Sequence, residues 1–223
     1  MNALYTLHNI RQQYNGRPVL TVDSFVIETG SIVGIVGPNG GGKSTLMRLL
    51  AFLEPPHAGS IHFAGTDVDP RGLSSGQITT LRRKATLLTQ EPYLLQRSVE
   101  ENVAYGLKVR KEQNIAARVA SALETVGLAP AEFCKRQWFE LSGGEAQRVA
   151  LAARIALSPR ALLLDEPTSS LDEESTDRIR EATLHIRNTS GTTLVVVSHD
   201  REWLASVADT IRTVRQGRLQ PVE

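Results

Sequence analysis

An α/β fold built around a parallel sheet is predicted for this chain, because short apolar runs recur along it and segments of helical periodicity separate them. Four runs have the length and composition of buried parallel strands: Ser31–Val36, Ala85–Thr89, Ala161–Asp165 and Thr192–Ser198. The chain has 223 residues, of which 41% are hydrophobic, so it can bury one full-sized core. We therefore expect residues 1–223 to form a single domain.

Alternating polar and apolar residues precede the first parallel strand. Leu4–Ile10 and Thr21–Thr29 flank the turn segment Asn15–Pro18, and this pattern predicts an antiparallel hairpin. We expect an N-terminal antiparallel β subdomain beside the parallel sheet.

Helical patterns occupy the interval between the second and third parallel strands. A Ser98-x-x-Glu101 capping box precedes one of them, and apolar residues at helical spacing between Ile115 and Val126 mark another. The predicted division is an inserted helical subdomain at approximately 91–158 and an α/β core, with its antiparallel subdomain, at 1–90 and 159–223.

The segment after the first parallel strand fits the phosphate-binding loop pattern G-x-x-x-x-G-K-[ST]. It consists of Gly37, Pro38, Asn39, Gly40, Gly41, Gly42, Lys43, Ser44 and Thr45. Backbone N–H groups of such a loop and the positive end of the following helix bind phosphates. Lys43 would reach the β- and γ-phosphates, and the Ser44 hydroxyl would bind Mg²⁺. The motif predicts a P-loop NTPase (RecA-like) core with ATP and Mg²⁺ as its ligands.

The helix after this loop shows an amphipathic pattern. Its apolar positions follow the i, i+3, i+4, i+7 spacing of one helical face, and we expect all four to be buried: Leu46, Leu49, Leu50 and Leu53.

Two carboxylates end the third parallel strand, at the sheet edge where open α/β folds bind ligands. Asp165 is positioned to hold Mg²⁺ through water, and Glu166 to orient or deprotonate the water that attacks the γ-phosphate. The alternative is an ordinary acidic strand end.

A second glycine-containing helix start follows Leu141. The Ser142-x-x-Glu145 pattern is a capping box, but a capping box does not need Gly143 and Gly144. Two glycines leave bare N–H groups at a helix N-terminus, which suits an incoming phosphate. Since the chain already has one phosphate loop, Ser142, Gly143 and Gly144 are predicted to cover ATP held by a second copy, in a head-to-tail dimer.

With these motifs in place, the chain resembles the ATP-binding subunits of ABC transporters from Tyr14 to His199. The resemblance implies that Gln90 contacts Mg²⁺ and the attacking water, and that His199 donates to the γ-phosphate. It also implies that Tyr14 stacks on adenine and that segment 170–172 is the D-loop. Without the resemblance, Gln90 would be interpreted as an ordinary surface residue and His199 as a structural residue. Tyr14 would be interpreted as a residue of the hairpin.

Family members with other functions carry features that this sequence lacks, namely long coiled coils, zinc cysteines or a second cassette. The resemblance therefore favours a membrane transporter over an ATPase of DNA repair, chromosome organisation or translation. Its partners would be membrane permease subunits and an extracytoplasmic substrate-binding protein, with the chain peripheral at the cytoplasmic face of the plasma membrane. The net charge of +1 gives no support to a nucleic-acid partner.

Two stretches outside the motifs, Leu49–Pro56 and Ser98–Gly106, are similar to the ATP subunit of bacterial tungstate importers. We also expect no appended regulatory β-domain, unlike sulfate and molybdate importers. A phosphate importer or a lipoprotein-release transporter is the alternative. The apolar stretch Tyr93–Leu95 is predicted either to dock a permease segment or to belong to the helical core.

Overall fold

The computed structural model describes residues 2–68 and 73–220. Its strands are β1 (Ala3–Tyr14), β2 (Arg17–Glu28), β3 (Ile32–Val36), β4 (Ala58–Phe63), β5 (Thr66–Val68), β6 (Ala85–Leu88), β7 (Ala161–Asp165), β8 (Thr193–Val197), β9 (Thr210–Arg215) and β10 (Arg218–Leu219). Its helices are α1 (Lys43–Leu50), α2 (Ser75–Lys84), α3 (Val99–Val109), α4 (Ile115–Thr125), α5 (Pro130–Phe133), α6 (Gly143–Ile155), α7 (Glu173–Ser190) and α8 (Arg201–Val207).

The strands form one mixed sheet in the order β5-β4-β1-β2-β10-β9-β3-β8-β7-β6. Neighbouring strands from β9 to β6 are parallel, whereas β1 pairs antiparallel with both β2 and β4. The four predicted parallel strands are therefore confirmed, and they lie side by side at one end of the sheet.

Each of the central parallel strands is buried on both faces, because two separate cores cover them. In β8, Leu194 and Val196 face a core formed with helices α3, α4, α6, α7 and α8. The alternate residues Val195 and Val197 face a second core that includes α1 and the antiparallel strands. Such two-sided burial is typical of parallel sheets and explains why these strands are continuous apolar runs in the sequence.

The N-terminal hairpin is confirmed, and its strands are longer than predicted. Asn15 and Gly16 form the turn with φ values of 50° and 76°, the left-handed conformations that a tight two-residue hairpin loop requires. Strand β2 therefore begins at Arg17, inside the segment that the sequence indicated as turn.

Four strands were not predicted from the sequence: β4, β5, β9 and β10. They are short or lie toward the antiparallel part of the sheet, where exposed polar residues interrupt the apolar pattern. Strand β9 nevertheless pairs with β3 over Val33 to Val36 and so lies directly beside the strand that leads into the phosphate loop.

Helices α3 to α6 lie between β6 and β7, in the predicted interval. Ser98 caps α3 and forms the expected reciprocal bonds with Glu101. Leu94 packs against the helical core, whereas Tyr93 is 83% exposed. The exact limits of a helical subdomain remain a prediction. Within the described ranges, no helix is both long enough and apolar enough to cross a membrane.

The expectation that Leu53 is buried is wrong. Helix α1 ends at Leu50, and Phe52 adopts a left-handed φ of 56° that turns the chain. The Phe52 ring packs beside Tyr5 and Phe63 in the core, with ring centroids 6.3 and 5.1 Å away. Leu53 is consequently 49% exposed.

We predict that Phe52→Ala lowers the free energy of unfolding by about 3 kcal/mol or more, because it empties a position inside an aromatic cluster. The adjacent Leu53→Ala provides the matched control and should cost about 0.5 kcal/mol or less, as expected for a half-exposed side chain. Urea unfolding followed by circular dichroism measures both. Equal losses in the two variants would contradict the observed packing.

Candidate functional site

A cavity of about 210 Å³ lies at the carboxyl ends of the parallel strands, where the loops after β3, β6, β7 and β8 converge. It is lined by Val19, Asn39, Gly40, Gly41, Gly42, Lys43, Ser44, Thr45, Gln90, Asp165, Glu166 and His199. The fold thus brings together side chains that lie up to 180 positions apart in the sequence. A larger depression of about 670 Å³ lies elsewhere, beside Asn2, His62 and Arg160, and none of the motif residues lines it.

Glycines stand at the start of the phosphate loop and directly before α1, where the surrounding backbone requires them. A Cβ atom on Gly37 would lie 2.0 Å from the Val214 carbonyl oxygen of β9. Gly42 has a φ of 104° and starts α1 without any side chain capping the helix. The first turn of α1 therefore keeps free N–H groups directed at the cavity, as an anion site requires.

Lys43 is a buried cation at the start of α1, with 7% of its surface exposed. Its ammonium group donates hydrogen bonds to the carbonyl oxygens of Gly37 at 2.8 Å and Pro38 at 3.1 Å. Since an ammonium group has three protons, one remains for a phosphate oxygen. The loop thus holds a positive charge inside the curve of its own backbone.

Glu166 directly follows β7 and is held by hydrogen bonds to the end of β8 and the chain after it. Its φ is 51°, its N–H donates to the Val197 carbonyl at 2.9 Å, and its Oε2 accepts from the His199 N–H at 3.2 Å. The other oxygen, Oε1, is buried, lies 3.1 Å from His199 Nε2 and accepts no hydrogen bond. A buried carboxylate oxygen without a donor is suited to accept a proton from a bound water.

Asp165 precedes Glu166 and is partly buried. Burial raises the pKa of the Asp165 carboxyl above its ordinary value, although Ser44 and the positive charge of Lys43 act in the opposite direction. Ser44, Asp165 and the amide of Gln90 all line the cavity and offer the hard oxygen ligands that Mg²⁺ prefers. The donor set therefore fits the predicted metal ion.

Tyr14, the predicted adenine-stacking residue, lies at the end of β1 and does not line this cavity. Its hydroxyl donates to Glu54 Oε1 at 2.5 Å and accepts from Arg48 Nη2 at 3.3 Å. Arg48 also reaches the Thr45 hydroxyl, at 3.3 Å. Hydrogen bonds therefore connect Tyr14 to the helix that carries the phosphate loop, a link that the sequence did not indicate.

The second glycine-containing helix start is also well formed, but it lies apart from the cavity. The Ser142 hydroxyl accepts from the Glu145 N–H at 3.2 Å, and Glu145 Oε2 accepts from the Ser142 N–H at 2.8 Å. This confirms the predicted capping box. Ser142, Gly143 and Gly144 do not line the cavity around Lys43, so within one copy of the chain this helix start and the phosphate loop do not form one site.

The ABC transporter family model matches residues 20–169, an interval that includes the phosphate loop, the Ser142 segment and both carboxylates. The chain belongs to the ABC transporter family. The predicted α/β ABC ATPase fold is thereby confirmed, and the protein is an ATP-binding and ATP-hydrolysing cassette of a transporter.

Two curated relatives and one solved structure describe this ABC cassette further. It is 35% identical to the tungstate uptake system ATP-binding protein of Peptoclostridium acidaminophilum, over 96% of this chain and 95% of that protein. It is 33% identical to the spermidine/putrescine import ATP-binding protein of Mesoplasma florum, over 99% of this chain but 61% of that protein. A dimeric structure of the ATP-binding cassette MJ0796, bound to ADP and Pi, is 26% identical, with a TM-score of 0.87 over 98% of this chain and 97% of that one.

We predict opposite effects from neutralising two aspartates of this ABC cassette. The pKa of Asp165 is higher in the folded chain than in the unfolded chain, so ionisation of this carboxyl lowers the free energy of unfolding. The loss develops as the pH rises through the pKa of the unfolded state and then through that of the folded state. Asp165→Asn should therefore raise the ligand-free melting temperature at pH 7 but not at low pH. The same variant should lose stabilisation by MgATP.

Asp172→Asn is the control, because the backbone N–H of Ser175 lowers the pKa of Asp172. That interaction stabilises the fold at neutral pH and is lost as pH falls through the folded pKa, so the variant should melt lower at pH 7. Thermal unfolding from acid to neutral pH measures both variants. A lower melting temperature of Asp165→Asn at pH 7 would contradict the burial cost.

Proposed function

We propose that the cavity around Lys43 is the ATP site and that it acts with Mg²⁺. The observation that carries this proposal is the convergence of an uncapped helix start, a buried lysine and two carboxylates in one 210 Å³ cavity. Ser44, Asp165 and Gln90 would hold the metal ion, which when bound neutralises phosphate charge. Glu166 orients and deprotonates the attacking water through Oε1, which accepts no hydrogen bond within the chain, and His199 stabilises the γ-phosphate.

Tyr14 completes the proposed nucleotide site by stacking on the adenine ring. Its hydrogen bonds to Glu54 and Arg48 fix the phenol hydroxyl on the α1 side, which leaves the ring face for the base. The phosphate-loop residues Gly37 to Thr45 would surround the phosphates.

We further propose that Ser142, Gly143 and Gly144 cover the γ-phosphate bound by a second copy of the chain, in a head-to-tail pair. The separation of the two phosphate-binding surfaces within one copy supports this arrangement, because neither can complete the other. The dimeric state of the MJ0796 cassette supports it independently. Each pair would contain two equivalent composite sites.

The Glu166→Gln variant tests the role of the carboxylate. It keeps the size of the side chain but removes the proton acceptor, so ATP hydrolysis should fall by roughly 10²–10⁴-fold while ATP binding is retained. Sedimentation of this variant with MgATP should show a dimer, since hydrolysis no longer separates the copies. Turnover close to that of the unaltered protein would rule out Glu166 as the general base.

A mixture of two inactive variants tests whether the site is shared. Lys43→Ala disables the phosphate loop, and Ser142→Arg blocks the covering helix. In a mixed pair one composite site carries both lesions and the other carries neither, so the mixture should recover up to about a quarter of the original ATPase activity. Activity no higher than the mean of the separate variants would contradict a shared site.

The proposed partners are membrane permease subunits and an extracytoplasmic binding protein, with the cassette peripheral at the cytoplasmic face of the membrane. Tyr93 follows the cavity residue Gln90 closely and is 83% exposed, so it is available to a permease segment. Leu94 faces the helical core and is therefore a poor probe of docking. Exposed aromatic residues of this kind are common at protein interfaces.

We infer that the assembled transporter imports tungstate. The support is the similarity at Leu49–Pro56 and Ser98–Gly106 together with the tungstate-uptake relative, which aligns over nearly its whole length. A polyamine-import relative is almost as similar, which shows that identity in the cassette alone does not specify the cargo. The choice of an oxyanion therefore belongs to the permease and its binding protein.

Reconstitution with the native permease and binding protein tests the cargo. Tungstate, molybdate, sulfate, phosphate and spermidine would be supplied separately, and both ATP hydrolysis and uptake would be measured. Tungstate should stimulate both activities at lower concentrations than any other solute. Selective stimulation by phosphate or spermidine, or outward movement of a supplied solute, would reject tungstate import without affecting the ATPase assignment.

A further inference from the structure

The two glycines at the start of α6 lie in different surroundings. A Cβ atom added to Gly143 would meet nothing within 4 Å in the described part of the chain. A Cβ atom added to Gly144 would lie 2.3 Å from Ser175 Oγ and 3.0 Å from Ser175 Cβ. Gly143 is therefore open toward the surface, whereas Gly144 is required by packing inside its own chain.

Ser175 lies in the first turn of α7 and is 5% exposed. Its N–H donates to Asp172 Oδ1 at 2.7 Å, so it is tied to segment 170–172 at the start of that helix. The close approach of Gly144 consequently joins the N-terminus of α6 to this segment without an intervening side chain.

A second contact on the same face of α6 strengthens the connection. Gln147, one turn after Gly144, is buried, and its Nε2 donates to the Pro167 carbonyl at 3.2 Å. Pro167 immediately follows Glu166. Two successive turns of α6 are thus attached to the chain that runs from the end of β7 to the first turn of α7.

We propose that Gly144 is a positioning residue, whose missing side chain lets α6 pack on Ser175 and so fixes the Ser142 and Gly143 donors relative to segment 170–172. The two groups would then meet a second copy as one rigid unit. This inference rests on the shared site of the proposed function. It gives the two glycines separate roles: Gly143 leaves space for the partner's nucleotide, and Gly144 sets where that space lies.

A graded series of variants tests the contact. Gly144→Ala places a methyl group 2.3 Å from Ser175 Oγ. In the double variant with Ser175→Ala, the closest remaining atom is Cβ of residue 175, at 3.0 Å. In the double variant with Ser175→Gly, both the Oγ and the Cβ atom of residue 175 are absent. We expect Gly144→Ala to lower ATPase activity by about tenfold or more, because a packed contact does not yield without displacing α6. Activity should rise stepwise through the two double variants. Single Ser175 variants provide the reference for each double variant.

The same series in a Glu166→Gln background separates positioning from folding. Binding of MgATP to one copy uses the Lys43 loop and should change by less than about twofold, whereas ATP-dependent pairing should weaken and then recover with Ser175→Gly. Gly143→Ala is the matched control, and Ser175→Gly should not rescue it. If Gly144→Ala fails to fold, the folded Gly144→Ala/Ser175→Gly variant decides the question.

Three results would overturn the proposal: undiminished activity of Gly144→Ala, an inactive but folded Gly144→Ala/Ser175→Gly variant, or equal rescue of Gly143→Ala. Failure of the proposed function itself would appear earlier, since the Glu166→Gln parent would then not pair with MgATP.

Discussion

The parallel arrangement of β3, β8, β7 and β6 is the constraint on which the rest of the structure depends. Strands of this kind must be covered on both faces. Here helices α3, α4, α6, α7 and α8 cover one face, and α1 and the antiparallel strands cover the other. Because the strands run in the same direction, the chain leaves all four at one edge. The phosphate loop, Gln90, Glu166 and His199 follow those four strand ends, so the same burial requirement that stabilises the sheet also assembles the site.

Several polar groups of the site lack a partner within the chain. Helix α1 starts at a glycine and has no capping side chain, unlike the helices that Ser98, Asp172 and Asp200 cap. Glu166 Oε1 is buried without a donor, and burial raises the pKa of Asp165. Each of these features costs stability in the free protein, and in the proposed site a bound phosphate, water or metal ion would relieve that cost.

In the proposed head-to-tail pair, the separation of the two phosphate-binding surfaces makes each cassette depend on a second copy. One surface lies at the sheet edge around Lys43, and the other lies at the start of α6. Gly144 and Gln147 attach α6 to the segment after Glu166, so the proposed covering surface is connected to the proposed general base of its own chain.

Patterns confined to one segment determined much of this protein from sequence alone. The central strands, the phosphate loop and the Ser98 and Ser142 capping boxes each depend on residues within a few positions of one another. Tertiary structure decided what depends on distant partners. Phe52 rather than Leu53 is buried because of one left-handed φ, Tyr14 is oriented by Glu54 and Arg48, and Gly144 is required by Ser175. Sequence periodicity contains no information about such contacts, since they arise only when separate elements pack together.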